Sequence, residues 1–144
     1  MINYCKQKIT SKDRKKVNKV LSSDFLTQGP EVIKFENKLK KVFGAKYAKA
    51  LSNGTCGLYL AIKSLNLKNG FNAIVTANSF VASASSVLMN GGNIEFCDIN
   101  IDNFNICTKN LEKKLQQKKI DLVVAVDIAG NPCDWLKLKK LSKT

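Results

Sequence analysis

The sequence contains no histidine, and this absence removes several classes of catalytic site. A Ser-His-Asp triad and a Cys-His nucleophile pair both need an imidazole as the base, so neither can operate here. The five cysteines are an odd number, are widely scattered and include no Cys-x-x-Cys pair. This pattern predicts reduced thiols rather than a disulfide framework, and it predicts no metal site.

Long apolar runs are also missing. No stretch approaches the roughly 20 apolar residues of a membrane span, and residues 1–6 lack the apolar region of a signal peptide. We therefore predict a cytoplasmic protein with no membrane partner. The 144 residues, 44% of them hydrophobic, are enough for one domain with a sizeable core.

Arginine is scarce although the chain is strongly basic. There are 24 basic and 11 acidic residues, which give a net charge of +13, but Arg14 is the only arginine. Recognition of nucleic acid favours arginine forks clustered on one face, whereas these lysines are spread along predicted helices. We therefore expect no nucleic-acid partner, and a basic nucleic-acid-binding α/β domain is the least favoured alternative.

Two helices are predicted before the first strand. Thr10 and Asp13 have the spacing of a capping box at the start of the first helix. Pro30 is well placed as the first residue of the second helix, and Gly44 is well placed to end it. Residues 1–44 are therefore expected to form a helical segment.

From residue 45 onward the pattern alternates between strands and helices. We predict strands at 47–51, 73–76, 93–97 and 121–126, and helices at 55–66, 79–90, 108–118 and 133–143. The strands at 73–76 and 121–126 are continuous apolar runs, as expected when helices cover both faces of a sheet. The predicted fold class is α/β with a mostly parallel sheet, in a single incomplete domain over 1–144 with the βα series at 45–144.

The turn Ser52-Asn53-Gly54-Thr55 leads into a predicted helix and could hold a phosphate. A helix N-terminus offers unpaired N–H groups and the positive end of the helix dipole. A plain capped turn would have the same residues, and the turn alone favours that simpler interpretation.

Other common motifs give little support for a different site. The glycine motifs of dinucleotide folds and P-loops are absent. Asp98 and Asp102 could form a carboxylate pair, but their polar context favours a turn.

Several segments, in order, resemble the PLP-dependent sugar-nucleotide aminotransferases of the DegT/DnrJ type, which have the fold type I architecture. The resemblance rests on SSDFLTQGP at 22–30, FE at 35–36, FGAKYA at 43–48, SNGT at 52–55, TANSFVASA at 76–84, FCDI at 96–99 and AVDIAGNPCD at 125–134. It covers essentially the whole chain. Within the family the chain looks most like the PseC-type transaminases, which aminate a UDP-linked 4-keto-6-deoxy sugar on the way to pseudaminic acid.

The resemblance implies a cofactor and a set of binding residues. Gly54, Thr55 and the N–H of Cys56 would bind the phosphate of pyridoxal 5'-phosphate (PLP). Phe80 would stack on the pyridine ring, although periodicity alone would place it in the core at the start of a helix. The positions that match contacts to the sugar nucleotide are Tyr4, Leu26 and Thr27.

The resemblance further implies partners: a UDP- or dTDP-linked keto sugar, an amino donor that is usually glutamate, and a second copy in a homodimer. It also implies what is missing. The Schiff-base lysine and the aspartate that pairs with the pyridinium nitrogen are expected downstream of Thr144, and Asp127 lies one strand too early for that role.

No catalytic residue is therefore predicted in this chain. Transamination needs the lysine, so the resemblance implies an N-terminal fragment of an aminotransferase that is inactive alone. An inactive half-domain that acts as a binding or dimerisation module is the alternative.

Overall fold

The structure is a computed structural model that describes residues 6–143. The chain divides into two units, one ending at Ala50 and the other beginning at Leu51. This boundary lies six residues beyond the predicted end of the helical segment at residue 44. The assignment of 1–144 to one incomplete domain stays a prediction.

The first unit contains two helices, α1 (Ser11–Leu21) and α2 (Pro30–Phe43). The capping box is confirmed, because the Asp13 N–H donates to Thr10 Oγ1 and the Thr10 N–H donates to the Asp13 carboxylate. Pro30 begins α2, and Gly44 ends it with a φ of 60° in the left-handed region. Neither helix contains a fully buried residue, and most of their apolar side chains are exposed.

The predicted strand at 47–51 is wrong. In the structure this segment pairs with no neighbouring strand of the described residues. The Ala50 N–H instead donates to the Glu36 carboxylate at 3.1 Å, and Lys49 Nζ lies 3.2 Å from the same carboxylate. A strand needs a neighbour for its ladder hydrogen bonds, and the local alternation of residues cannot supply one.

The second unit is a layered α/β structure. Its elements are α3 (Gly54–Ser64), β1 (Asn72–Thr76), α4 (Ala82–Met89), β2 (Asn93–Cys97), α5 (Thr108–Gln117), β3 (Leu122–Val124), a 3₁₀ turn (Ile128–Gly130) and α6 (Trp135–Leu141). The strand order is β2-β1-β3, and both pairings are parallel. The predicted parallel sheet is therefore confirmed, although β3 is shorter than the predicted strand at 121–126.

The core lies on both faces of this sheet. Ile74 in β1 belongs to one cluster with Leu111 of α5, to which α6 also contributes. The next residue, Val75, belongs to the other cluster with Ile62 of α3 and Val87 of α4. The continuous apolar sequence of β1 is explained, since both faces of the strand are covered. Among residues 6–143, no helix is long and apolar enough to span a bilayer.

Candidate functional site

The candidate site lies at the edge of the sheet where the strands end. Loops 77–81, 98–107 and 125–134 follow β1, β2 and β3, and parallel strands bring such loops to one edge. The end of α3 connects through residues 65–71 to the start of β1, and Ile62 and Phe71 share a cluster. The start of α3 is therefore directed toward the edge where β1 ends at Thr76.

The start of α3 has the geometry of an anion site. Asn53 caps the helix, and its Oδ1 accepts from the Cys56 N–H at 2.9 Å. Within residues 6–143, the N–H groups of Gly54 and Thr55 have no protein acceptor. A Cβ added at Gly54 would meet nothing within 4 Å. An anion can therefore approach these two N–H groups closely at the positive end of the helix dipole.

The Cys56 N–H, unlike those of Gly54 and Thr55, already has a hydrogen-bond acceptor. The family resemblance assigned it to the phosphate, but in the structure it is already used by the Asn53 cap. A ligand can take this N–H only if the Asn53 side chain turns away. The role of Cys56 in phosphate binding therefore stays a prediction, and the described geometry supports Gly54 and Thr55 more directly.

Phe80 lies in the loop after β1 and is 75% exposed. Helix α4 begins only at Ala82, so the placement of Phe80 in the core, suggested by periodicity, is wrong. Ser79 Oγ donates to the Thr76 carbonyl at 3.2 Å and ties the loop to the end of the strand. An exposed ring on a loop held in this way can stack on a planar ligand.

Asn105 is a functional candidate that the sequence reasoning missed. Its side chain is only 3% exposed, and its Nδ2 donates to the carbonyls of Asn131 and Pro132 at 3.0 and 3.1 Å. Its Oδ1 accepts from the Ile128 N–H at 3.2 Å. Asn105 thus joins the loop after β2 to the loop after β3. The sequence at 98–103 suggested only a turn, and no sequence signal distinguished Asn105 from the residues beside it.

Asp127 also stabilises the loop after β3. Its carboxylate accepts from the Cys133 N–H at 2.8 Å and from Trp135 Nε1 at 3.1 Å. The Cys133 N–H is the main reason that the pKa of Asp127 lies below its ordinary value. These contacts give Asp127 a structural role in the loop. The expectation that it is not the partner of a pyridinium nitrogen stays a prediction.

Two buried thiols are poor candidates for a nucleophile. Burial raises the pKa of both Cys97 and Cys133 to about 11. Asp98 and Asp102 form the expected turn, since the Cys107 N–H donates to the Asp98 carbonyl and the Asp102 N–H donates to Asn100 Oδ1. No group of three or more possible metal ligands occurs among the described residues.

The predicted sugar-nucleotide contacts fall in the first unit. Leu26 and Thr27 lie exposed between α1 and α2. Tyr4 lies outside the described residues. The role of these three positions therefore stays a prediction.

Comparison with known proteins extends over nearly the whole chain. The sequence profile of the DegT/DnrJ/EryC1/StrS aminotransferase family matches residues 7–144. The chain is 34% identical over 145 aligned residues to the UDP-4-amino-4,6-dideoxy-N-acetyl-beta-L-altrosamine transaminase of Campylobacter jejuni, an alignment that covers 99% of this chain and 38% of the relative.

Solved structures also match at the level of the fold, and two of them are described here. Helicobacter pylori PseC, an aminotransferase involved in the biosynthesis of pseudoaminic acid, aligns with a TM-score of 0.90 and 30% identity over 98% of this chain and 38% of its own. The E. coli GDP-4-keto-6-deoxy-D-mannose-3-dehydratase with bound hydrated PLP aligns with a TM-score of 0.88 and 28% identity over 99% and 39%. The fold type I assignment is confirmed, and PLP is confirmed as the cofactor of the family. The chain spans little more than a third of the length of these relatives.

Proposed function

Because the chain belongs to the DegT/DnrJ/EryC1/StrS aminotransferase family, we propose that it is the phosphate-binding portion of a PLP-dependent enzyme that aminates nucleotide-linked keto sugars for a surface polysaccharide or glycan. The observation that carries this proposal is the start of α3, where the N–H groups of Gly54 and Thr55 have no acceptor among residues 6–143 and a Cβ added at Gly54 would meet nothing within 4 Å. PLP supplies the electron sink for transamination when it is bound.

The residues of this chain bind and orient the cofactor. The N–H groups of Gly54 and Thr55 hold the phosphate, and the dipole of α3 adds favourable charge there. Phe80 packs against one face of the pyridine ring. The sugar nucleotide, UDP- or dTDP-linked in this proposal, contacts Tyr4, Leu26 and Thr27, and glutamate supplies the amino group in the complete homodimeric enzyme.

The chain by itself is proposed to be inactive. Proton transfer between the cofactor and the substrate carbon needs a lysine in the family's sequence context, and no lysine in this sequence has that context. The alternative of an interaction module has one observation in its favour: α1 and α2 bury no residue within their unit. Such apolar helix faces are typical of contact surfaces.

The proposal is tested by titrating the chain with pyridoxamine 5'-phosphate in a calorimeter. This form of the cofactor lacks the aldehyde that would react with surface lysines, so the titration measures the affinity of non-covalent binding alone. We expect pyridoxamine 5'-phosphate to bind, and pyridoxamine without the phosphate to bind at least about tenfold more weakly, because the phosphate carries the charge that α3 recognises. Equal affinity of the two compounds would contradict the proposed role of α3.

Matched variants locate the site. The Cβ of Gly54→Ala would meet nothing within 4 Å among the described residues, so a loss of affinity would report the close approach of the ligand rather than a packing defect. Gly57→Ala, in the same helix, is the control, since its Cβ makes only an ordinary contact of 3.6 Å with Leu51. Phe80→Ala should weaken binding by roughly 2- to 12-fold, the usual range for aromatic stacking. Phe96→Ala, which removes another exposed ring, should leave the affinity unchanged.

A further inference from the structure

Three Asn-Gly pairs occur in the sequence, at Asn53-Gly54, Asn69-Gly70 and Asn90-Gly91. An asparagine that precedes glycine is prone to lose its side-chain amide, because the glycine nitrogen can approach the asparagine carbonyl with no side chain in the way. The reaction turns a neutral residue into a carboxylate. The three pairs lie in one unit of the chain but in different surroundings, so the structure ranks their reactivity.

The pair Asn90-Gly91 is held at both reacting groups. Asn90 Nδ2 donates to the carbonyls of Tyr59 and Ser86 at 3.1 and 2.8 Å. The Gly91 N–H donates to the Leu88 carbonyl at 2.9 Å. Both the amide that would leave and the nitrogen that would attack are therefore engaged.

The pair Asn69-Gly70 is held in a similar way. The Gly70 N–H donates to the Gly91 carbonyl at 2.8 Å, and the Asn69 side chain packs against Gly91 through its Oδ1. These contacts must open before the Gly70 nitrogen can reach the side chain of Asn69. Exposure of this turn to solvent is therefore not enough for a fast reaction.

The pair Asn53-Gly54 is open by comparison. Both residues are exposed, and the Gly54 N–H has no acceptor among residues 6–143. The departing nitrogen, Asn53 Nδ2, makes only a long contact of 3.4 Å with Ser52 Oγ. The Cys56 N–H donates to Asn53 Oδ1 at 2.9 Å, and a donor at this oxygen draws electrons from the carbon that the Gly54 nitrogen would attack.

We propose that Asn53 is the first residue of the Asn-Gly pairs to deamidate, and that the carboxylate formed there keeps a phosphate away from the start of α3. The Gly54 nitrogen loses its proton to hydroxide and bonds to Asn53 Cγ. The bond from Cγ to Nδ2 breaks, and the leaving nitrogen takes a proton from water to depart as ammonia, which restores the hydroxide. Water then opens the cyclic imide at either carbonyl and leaves aspartate or isoaspartate at position 53.

The effect on the phosphate rests on the proposed function. The new carboxylate lies at the positive end of the α3 dipole, where it competes with a bound anion and repels it. The helix keeps its cap, since aspartate and asparagine cap helices about equally well. The isoaspartate product also inserts an extra carbon into the main chain before the Gly54 N–H, which displaces that donor. Binding is therefore lost without unfolding.

Peptide mass spectrometry of the full chain tests the ranking. The protein is incubated at mildly alkaline pH in water enriched in heavy oxygen, which labels each new carboxylate, and is digested under mildly acidic conditions. We expect Asn53 to react at least about tenfold faster than Asn69 or Asn90, because those two need a local opening first. Saturating pyridoxamine 5'-phosphate should slow the reaction at Asn53, since its phosphate would cover the Gly54 N–H. Equal rates at the three asparagines, or a faster reaction at Asn69, would overturn the proposal.

Titration of variants with pyridoxamine 5'-phosphate tests the consequence. Asn53→Asp should bind about tenfold more weakly through charge repulsion, with an unchanged free energy of unfolding. Asn69→Asp, which adds the same charge beyond the other end of α3, is the control and should keep its affinity. Asn53→Ser retains a capping side chain but has no amide, so its affinity should not change on incubation, whereas that of the unmodified sequence should fall. Unchanged affinity of Asn53→Asp, or an equal fall in Asn53→Ser, would refute the effect on the phosphate.

The outcomes also separate this inference from the proposed function. A fresh chain that binds no pyridoxamine 5'-phosphate would refute the proposed function and the effect on the phosphate, while the masses would still decide the ranking of the three pairs. Normal binding by a chain whose Asn53 does not react would refute only the deamidation site.

Discussion

Replacing Asn105 should loosen the two loops that border the candidate site. The side chain makes three hydrogen bonds to the backbone of the loop after β3, two as donor and one as acceptor. In Asn105→Ala all three are lost at a position that is 3% exposed. The Ile128 N–H and the carbonyls of Asn131 and Pro132 must then find water or remain unpaired.

The size of the effect follows from these contacts. A hydrogen bond contributes about 1 kcal/mol net, and a backbone group left unpaired in a buried site adds to the loss. Three bonds therefore correspond to about 3 kcal/mol, out of the roughly 5–15 kcal/mol that is typical for a whole domain. For a chain of this size the melting temperature should fall by roughly 10 °C.

Urea unfolding provides the measurement, and the protein contains its own reporter. Trp135 is the only tryptophan and donates to Asp127 in the affected loop, so its fluorescence follows this region. Asn78→Ala, in an exposed loop, is the control and should change the free energy of unfolding by less than about 0.5 kcal/mol.

A second substitution distinguishes hydrogen bonding from packing. Asn105→Asp keeps the size of the side chain but replaces the donor with an oxygen that faces two carbonyls. It should destabilise the protein at least as much as Asn105→Ala. A loss below about 1 kcal/mol for both variants would show that Asn105 does not hold the loops, and the reasoning would be refuted.

Two further predictions concern the first unit. The Ala50 N–H, followed by the Lys49 ammonium, lowers the pKa of Glu36, so the stabilising effect of its carboxylate is present above the unfolded pKa and is lost as the pH falls through the lower folded pKa. The NMR shift of the Ala50 amide should therefore titrate with a midpoint below the ordinary glutamate value, and Glu36→Gln should remove that titration while Asp24→Asn preserves it. Gly44→Ala forces a side chain into a φ of 60° and should destabilise α2 by about 1 kcal/mol in urea unfolding, whereas Gly57→Ala, with no such backbone strain, should be close to neutral. Equal effects of the two alanines would contradict the assigned role of Gly44.

Local signals predicted most elements because their causes lie within a few residues. Thr10 and Asp13 complete the capping box within one turn of helix, and Gly44 adopts the left-handed conformation that its lack of a side chain permits. The start of α3 was predictable for the same reason, since Asn53 caps the helix and Gly54 and Thr55 follow it directly. The family was also predictable from the sequence, because its motifs occur in a fixed order along the chain.

Contacts between distant parts of the chain were not predictable in this way. The segment at 47–51 has strand-like residues, but its Ala50 N–H bonds to Glu36, 14 positions earlier. Asn105 is important because of carbonyls 26 and 27 positions later, and nothing in its own neighbourhood shows this. The placement of Phe80 was also decided by the fold, since helix α4 begins only after it.

The sequence by itself determined the family, the parallel α/β class and the glycine at the start of α3, because these depend on motifs and on local backbone preference. The tertiary structure alone decided that the Asn53 cap takes the Cys56 N–H, that Phe80 is exposed, and that the Ala50 N–H bonds to Glu36. Those properties depend on which groups meet after folding, and neighbours along the chain do not specify which partners a strand or a side chain will find in space.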